Sequence, residues 1–371
     1  MRLLLCGGGT AGHVTPALVV AEELKRRYPK AKILFIGRKG GNENEAVKKA
    51  NIELKTIEIK GLKRSLSLEN IKRLKLAAQA KKEAERIIKE FKPDVILGTG
   101  GYVCWPIIYA GKKLNVPIAI HESNAYPGLT TRLLASKCDA VFLGREEAKL
   151  HLNKHVNHTV VGNPVSKQFT WITYDEARKK LGINKDEIFI LSFGGSIGAD
   201  KLNRVVIDVM KNHSSKDNQI RHVHATGKRY FDNNMADIKF THSQCKIVPY
   251  IDNMPTMLRA ADIVICRCGA MTIAELSSVG VASILIPSPN VSGNHQYKNA
   301  KKLSERGAAV LIEEKNLTEN SLWEVILELR NDKLARNNKA ENILAFFVPD
   351  SAKMIVEGLI SIKNNTKGAA F

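Results

Sequence analysis

Short apolar runs along this chain each break into a turn, often glycine-bearing, and then into a segment of helical periodicity. Residues 3–6 are the first such run, 7–13 the loop, 16–27 an amphipathic helix and 33–36 the next strand. That order is a βαβ unit, which predicts a parallel sheet with its ligand at the carboxyl ends of the strands. Strands at 95–97, 118–120 and 140–143 continue the pattern, and turn chemistry at 160–164 ends it. A second cycle opens with a strand at 188–193, a glycine loop at 194–198 and a helix at 202–210. Further strands are expected at 221–225, 245–248, 262–266, 283–286 and 309–312, with a last helix at 352–363. The simplest architecture is α/β, with two Rossmann-like doubly wound domains facing each other across a cleft, bounded as 1–164 and 165–348 with a terminal segment 349–371.

A chain of 371 residues agrees with two domains rather than one core. Composition adds one constraint: 57 Lys+Arg against 37 Asp+Glu give a formal charge of +20, which favours an anionic partner. Nucleic acid, an acidic membrane surface and phosphorylated substrates all satisfy that, and charge does not choose among them. The six cysteines are scattered through apolar runs, as expected of reduced thiols in a cytosolic protein. Cys266 and Cys268 have no second pair nearby, so no metal site is expected there. No apolar run has the length of a membrane span, and the chain enters a strand directly after Met1-Arg2, so the expected location is cytoplasmic.

Chemistry concentrates in the turns. Between Asp262 and Glu275 a strand runs through Arg267-Cys268-Gly269-Ala270 into a helix over 271–279, stopped by Gly280. Such a turn aims unpaired N–H groups at one spot and attracts phosphate. Glu275 is placed to accept from sugar hydroxyls, Gln296 offers an amide, and Ser196 and Thr272 suit a diphosphate beside glycine backbone. Arg267 either balances diphosphate charge or serves as a structural ion-pair donor. Together these features describe a nucleotide-sugar site.

In the first half, Thr10, Gly12 and His13 stand at a helix entrance, and His13 is either a general base or a cap of its own helix. The run His121-Glu122-Ser123-Asn124 places a second imidazole and a carboxylate at another strand end, which opens onto the same sheet edge if the strands are parallel. Gly7, Gly9 and Gly12 also fit the dinucleotide fingerprint, but the second strand ends in Arg38-Lys39 without the ribose-binding acid, which counts against an oxidoreductase. Residues 60–68 interleave leucines with basic residues before a positively charged helix at 69–91. Leu62, Lys63, Arg64, Leu66 and Leu68 are the candidates for contact with an anionic bilayer. Aromatic residues are sparse there, so nucleic acid has little support as a partner.

The stretches GGGTAGH (7–13), GTGGYV (98–103), HESN (121–124), VGNPV (161–165), FGGSIGA (193–199), YIDNM (250–254), CRCGAMTIAE (266–275) and HQYKNA (295–300) together resemble one family nearly end to end. It is that of the peptidoglycan N-acetylglucosaminyltransferases, which add GlcNAc from UDP-GlcNAc to undecaprenyl-diphospho-muramoyl-pentapeptide (lipid I) to give lipid II. The resemblance implies an inverting enzyme of the two-domain glycosyltransferase B type that uses no metal or other cofactor. It serves cell-wall growth, cell shape and division at the cytoplasmic face of the membrane, alongside other cell-wall proteins. The N-terminal domain would take the lipid acceptor, the C-terminal domain the donor, and the last helix would pack on the first domain. By position, Thr10, Ala11, Gly12, Asn124, Ser166, Ser196, Ile251, Ala270, Met271, Thr272, Ile273, Ala274, Glu275 and Gln296 correspond to donor-binding positions. Ile251 would contact uracil through its backbone and Glu275 the ribose, while His13 would act on the acceptor with Glu122 as partner. Ser166, Cys268 and Ser123 depart from the family's usual Arg, Ser and Gln. A transferase acting on diacylglycerol is the nearest alternative within the same fold.

Overall fold

The computed structural model describes all residues except 42, 62–67, 196–197, 232–234, 236–237, 243 and 369–371. The chain forms two compact units: Met1–Val165 together with Val348–Phe371, and Ser166–Phe347.

The first unit is built on a parallel sheet of β1 (Arg2–Cys6), β2 (Lys32–Arg38), β3 (Glu53–Ile57), β4 (Val95–Gly98), β5 (Ile118–Glu122), β6 (Ala140–Leu143) and β7 (His158–Val160), in the spatial order 3-2-1-4-5-6-7. A parallel sheet is covered on both faces, so its central strands read as unbroken apolar runs. In β1, Leu3 and Leu5 enter one core with helix Ala11–Arg27, while Leu4 and Cys6 enter another with helices Glu69–Phe91 and Cys104–Lys113. The chain's last helix, Ser351–Gly368, belongs to the first of these cores through Ile355, Val356 and Leu359. Gly358 lets that helix close on the sheet, because a Cβ there would stand 2.5 Å from the Phe142 ring.

The second unit has its own parallel sheet of β8 (Ile188–Phe193), β9 (Ile220–Ala225), β10 (Cys245–Val248), β11 (Ile263–Cys266), β12 (Ala282–Leu285) and β13 (Val310–Leu311), in the order 10-9-8-11-12-13. Helices Asp200–Asn212 and Glu319–Asn331 pack Leu202, Val206, Leu322 and Ile326 against Ile190, Ile263 and Ile284 of the sheet.

Strand β3 escapes the hydrophobic pattern because it flanks the sheet with a polar, partly exposed sequence, so alternation and apolar content are weak there, while β7 is the short edge strand expected to run into the turn at 160–164. The first helix begins at Ala11, five residues before the expected Pro16, which lies inside it. Strand order also fixes where a ligand goes. The strand order of each parallel sheet reverses once, between β1 and β4 in the first unit and between β8 and β11 in the second, and such a switch point leaves a crevice at the carboxyl ends of the two strands. The glycine-bearing loops after β1, β4, β8 and β11 are the loops that line those crevices.

Candidate active site

His13 stands in the first turn of helix Ala11–Arg27, at the β1/β4 switch point. Its Nδ1 lies 2.9 Å from the carbonyl oxygen of Gly8. A carbonyl only accepts, so Nδ1 carries the hydrogen and, in the neutral ring, Nε2 keeps its lone pair. Among the described residues Nε2 has no hydrogen-bond partner. That is the protonation pattern of a general base. The ring lies flat against the loop after β4, where a Cβ on Gly100 would stand 2.7 Å from Cδ2, and the φ of +109° at Gly100 suits glycine. Thr99 completes the lock, donating from its hydroxyl to the His13 carbonyl at 2.5 Å. Thr10 is exposed, with Oγ1 3.3 Å from Nδ1.

Glu122, at the end of β5, is buried and serves its own loop. Oε1 accepts from the backbone N–H (2.9 Å) and side-chain amide (3.0 Å) of Asn124, and Oε2 accepts from the Gly128 N–H at 2.9 Å. With both oxygens engaged, Glu122 organises the loop that presents Asn124. His121 is buried beside it, with Nε2 donating to the Gly162 carbonyl at 3.1 Å, and burial lowers its pKa. It therefore stays neutral.

In the second unit, β11 passes through Arg267-Cys268-Gly269 into helix Ala270–Val279. Gly269 caps the helix without a side-chain hydrogen bond, and the helical ladder begins only with Ile273 N–H to Gly269 O at 3.0 Å. The start of this helix lies at the β8/β11 switch point, where the positive end of its dipole favours an anion such as phosphate. Gln296 fixes this turn: its Oε1 accepts from Cys268 N–H at 3.3 Å and from Ser288 N–H at 2.9 Å, leaving its Nε2 as a donor. Glu275, one turn into the helix, is half-buried and makes no ion pair or side-chain hydrogen bond among the described residues. Desolvation pushes its carboxyl up to about 7. A carboxylate partly withdrawn from water and given no side-chain partner among the described residues is poised for donors from a ligand. Ala270, Met271, Ile273 and Ala274 are buried and shape the helix start, with Thr272 partly exposed, while Ile251 is buried in the loop after β10. Ser166 caps a short 3-10 turn through the Gln168 N–H at 3.4 Å, and Ser196 lies outside the described residues.

Arg267 makes structural contacts, the second of the two roles expected of it. Its guanidinium is paired with Glu314 and donates to the carbonyls of Ile286 (3.2 Å) and Pro287 (3.1 Å), so it ties β11 to neighbouring loops rather than reaching for a diphosphate. Asp262, at the other end of β11, is structural as well, accepting from Arg178 and from Phe189 N–H, both at 2.8 Å. A groove of about 1110 Å³ does lie there, against the amino ends of β8, β11 and β12, but it is away from the switch point and its buried Arg178 is neutralised by Asp262. Behind the glycine loop after β8 runs a hydrogen-bonded chain that sequence reading did not find. Ser214 Oγ meets His222 Nδ1 (3.1 Å), His222 Nε2 meets Ser192 Oγ (2.9 Å), and Ser192 meets His224 Nδ1 (2.9 Å). His224 Nε2 ends it on Asn203 Oδ1 (3.2 Å). Because the Asn203 amide donates to Thr226 O at 3.0 Å, its Oδ1 accepts, and every proton along the chain is thereby assigned in one direction.

The glycosyltransferase family 28 N-terminal domain profile matches residues 3–143, and the C-terminal domain profile of the same family matches 189–355. A relative from Acetivibrio thermocellus named UDP-N-acetylglucosamine–N-acetylmuramyl-(pentapeptide) pyrophosphoryl-undecaprenol N-acetylglucosamine transferase is 39% identical over 98% of this chain and 99% of its own. The chain belongs to glycosyltransferase family 28. A family 28 relative of the same name from Thermoanaerobacter sp. is also 39% identical, covering 98% of this chain and 100% of its own. Among solved structures, MurG of Acinetobacter baumannii superposes with a TM-score of 0.73 at 24% identity over 97% of this chain and 99% of that one, a likeness of fold. The fold is the two-sheet glycosyltransferase B type.

Proposed function

We propose that this family 28 enzyme transfers GlcNAc from UDP-GlcNAc to the 4-hydroxyl of MurNAc in lipid I, forming the β-1,4 linkage of lipid II in peptidoglycan synthesis. The observation that carries the donor half is Glu275, a carboxylate that burial desolvates and that has no side-chain partner among the described residues, in the helix that begins after the glycine cap Gly269. In this reading, the ribose hydroxyls of UDP donate to Glu275, the N–H groups at the start of helix Ala270–Val279 receive the diphosphate, and Gln296 Nε2 reaches the sugar. His13 Nε2 takes the proton from the acceptor hydroxyl as its oxygen attacks the anomeric carbon. The bond to the UDP oxygen breaks on the opposite side, so an α-linked donor gives a β-linked product. Charge developing on UDP is met by the helix start, which is already oriented and needs no rearrangement. Asn124, Ser166, Ser196 and Ile251 complete the donor contacts, with Glu122 acting through Asn124.

The acceptor's lipid calls for a membrane surface. Helix Glu69–Phe91 divides its labour along its length: Ala80, Ala84, Ile87, Ile88 and Phe91 are buried, whereas Ile71 and Leu74 near its start are more than half exposed beside exposed Lys72 and Lys75. Leu68, just ahead of them, is 84% exposed. Leu62, Lys63, Arg64 and Leu66 lie outside the described residues. We assign this end to a peripheral contact with anionic lipid, where each basic residue near the surface contributes about 1 kcal/mol. No helix among the described residues is long and apolar enough to cross a membrane. The test of the whole reading is a transfer assay offering UDP-GlcNAc with lipid I or diacylglycerol in anionic vesicles. Product from lipid I alone supports it, and product from diacylglycerol alone overturns the acceptor assignment.

A further inference from the structure

Glu43 is the first residue of helix Glu43–Lys49 and is only 2% exposed, yet it makes no ion pair among the described residues. Its Oε1 accepts from the Arg38 N–H at 2.8 Å, which anchors the carboxylate at the end of β2. The same head group lies close against two glycines. A Cβ on Gly8 would stand 2.6 Å from Oε1, and a Cβ on Gly41 would stand 2.4 Å from the same atom. Gly8 is the residue whose carbonyl receives His13 Nδ1, and its own N–H donates to Gly100 O at 3.3 Å. Gly8 is thus held on three sides, by Glu43, by the loop after β4 and by the imidazole.

We propose that Glu43 is a positioning residue for His13. It wedges Gly8 so that the carbonyl points at Nδ1, which holds the hydrogen there and leaves Nε2 as the base. The inference rests on the proposed role of His13 and extends it one residue further from the reacting atoms. It also explains why an acid is buried beside a glycine that has no side chain of its own to fix it. The carboxylate takes the place a larger residue at position 8 would fill, while keeping the backbone free to face the ring.

The test combines steady-state kinetics with the ring 15N shifts of His13, identified by their loss in His13→Gln. Glu43→Ala removes the wedge and Glu43→Asp withdraws it by one methylene, whereas Glu43→Gln keeps its shape and its acceptor. We expect Ala and Asp to lower kcat by about 10- to 100-fold, with UDP affinity unchanged and a His13 ring no longer held in the Nδ1–H form. Glu43→Gln restores both readouts. A His13 ring that stays in the Nδ1–H form in Glu43→Ala and Glu43→Asp overturns the proposal, as does a Gln variant as slow as Ala, since the charge rather than the wedge would then matter. Should His13→Gln itself retain full turnover, the role of His13 as base fails, while the tautomer readout still reports whether Glu43 sets the ring.

Discussion

Replacing Glu275 by Gln separates what this carboxylate does for the ligand from what it costs the fold. Desolvation moves its pKa from 4.5 to about 7, so between those values the folded protein holds a proton that the unfolded chain has released. Stability contributed by the protonated form is therefore complete below pH 4.5 and is lost as pH rises through 7. At about 1.4 kcal/mol per pKa unit the penalty above pH 7 has a ceiling of roughly 3 kcal/mol, and partial access to water brings it toward ~1–2 kcal/mol. Gln carries no charge and escapes the penalty. Calorimetric melting of Glu275→Gln should show a gain at pH 8, about 2–4 °C per kcal/mol for a domain of this size, and only about a quarter of that gain at pH 5. UDP titration of the same protein should show the opposite sign. Loss of a charged acceptor for the ribose weakens binding by about 1–3 kcal/mol, roughly 5- to 150-fold in Kd. Equal gains at both pH values would refute the desolvated carboxylate, and unchanged UDP affinity would refute its contact with ribose.

Three further outcomes follow from the geometry. His13→Gln should reduce kcat by about 10²- to 10⁴-fold with UDP affinity intact, and a variant with normal turnover would remove His13 from the mechanism. Arg267→Ala strips Glu314 of its partner in a largely buried pair and should destabilise the second unit by about 3 kcal/mol. Its UDP affinity below the melting range should stay near that of the parent, and a selective loss of UDP binding would return Arg267 to the diphosphate. Burial lowers the pKa of His222 to about 3 and of His224 to about 4, so the unfolded chain binds protons that the folded chain does not, and stability falls as pH drops below 6.5. A His222→Asn variant should therefore lose less stability than the parent between pH 7 and pH 5, and identical slopes in urea unfolding at those pH values would contradict the neutral network.

Sequence by itself determined a good part of this. Apolar runs ending in glycine loops specify parallel strands and the edge at which ligands bind, because periodicity and turn chemistry are local properties that each segment carries with it. His13, Glu275 and the helix start after Gly269 were singled out as candidates for that reason, and the motif series was specific enough to indicate the family. Tertiary structure decided which groups meet. Arg267 faces Glu314, 47 residues away, so its charge is committed to an ion pair that no local pattern announces. Glu122 turns both oxygens back onto its own loop, and Gln296 clamps Cys268 and Ser288 with the same oxygen. Gly100 fits against His13 only because β4 returns to pair with β1, and Glu43 reaches Gly8 only because β2 lies on the other side of β1. Strand order and register place these side chains, and both are properties of the assembled sheet rather than of any stretch of the chain.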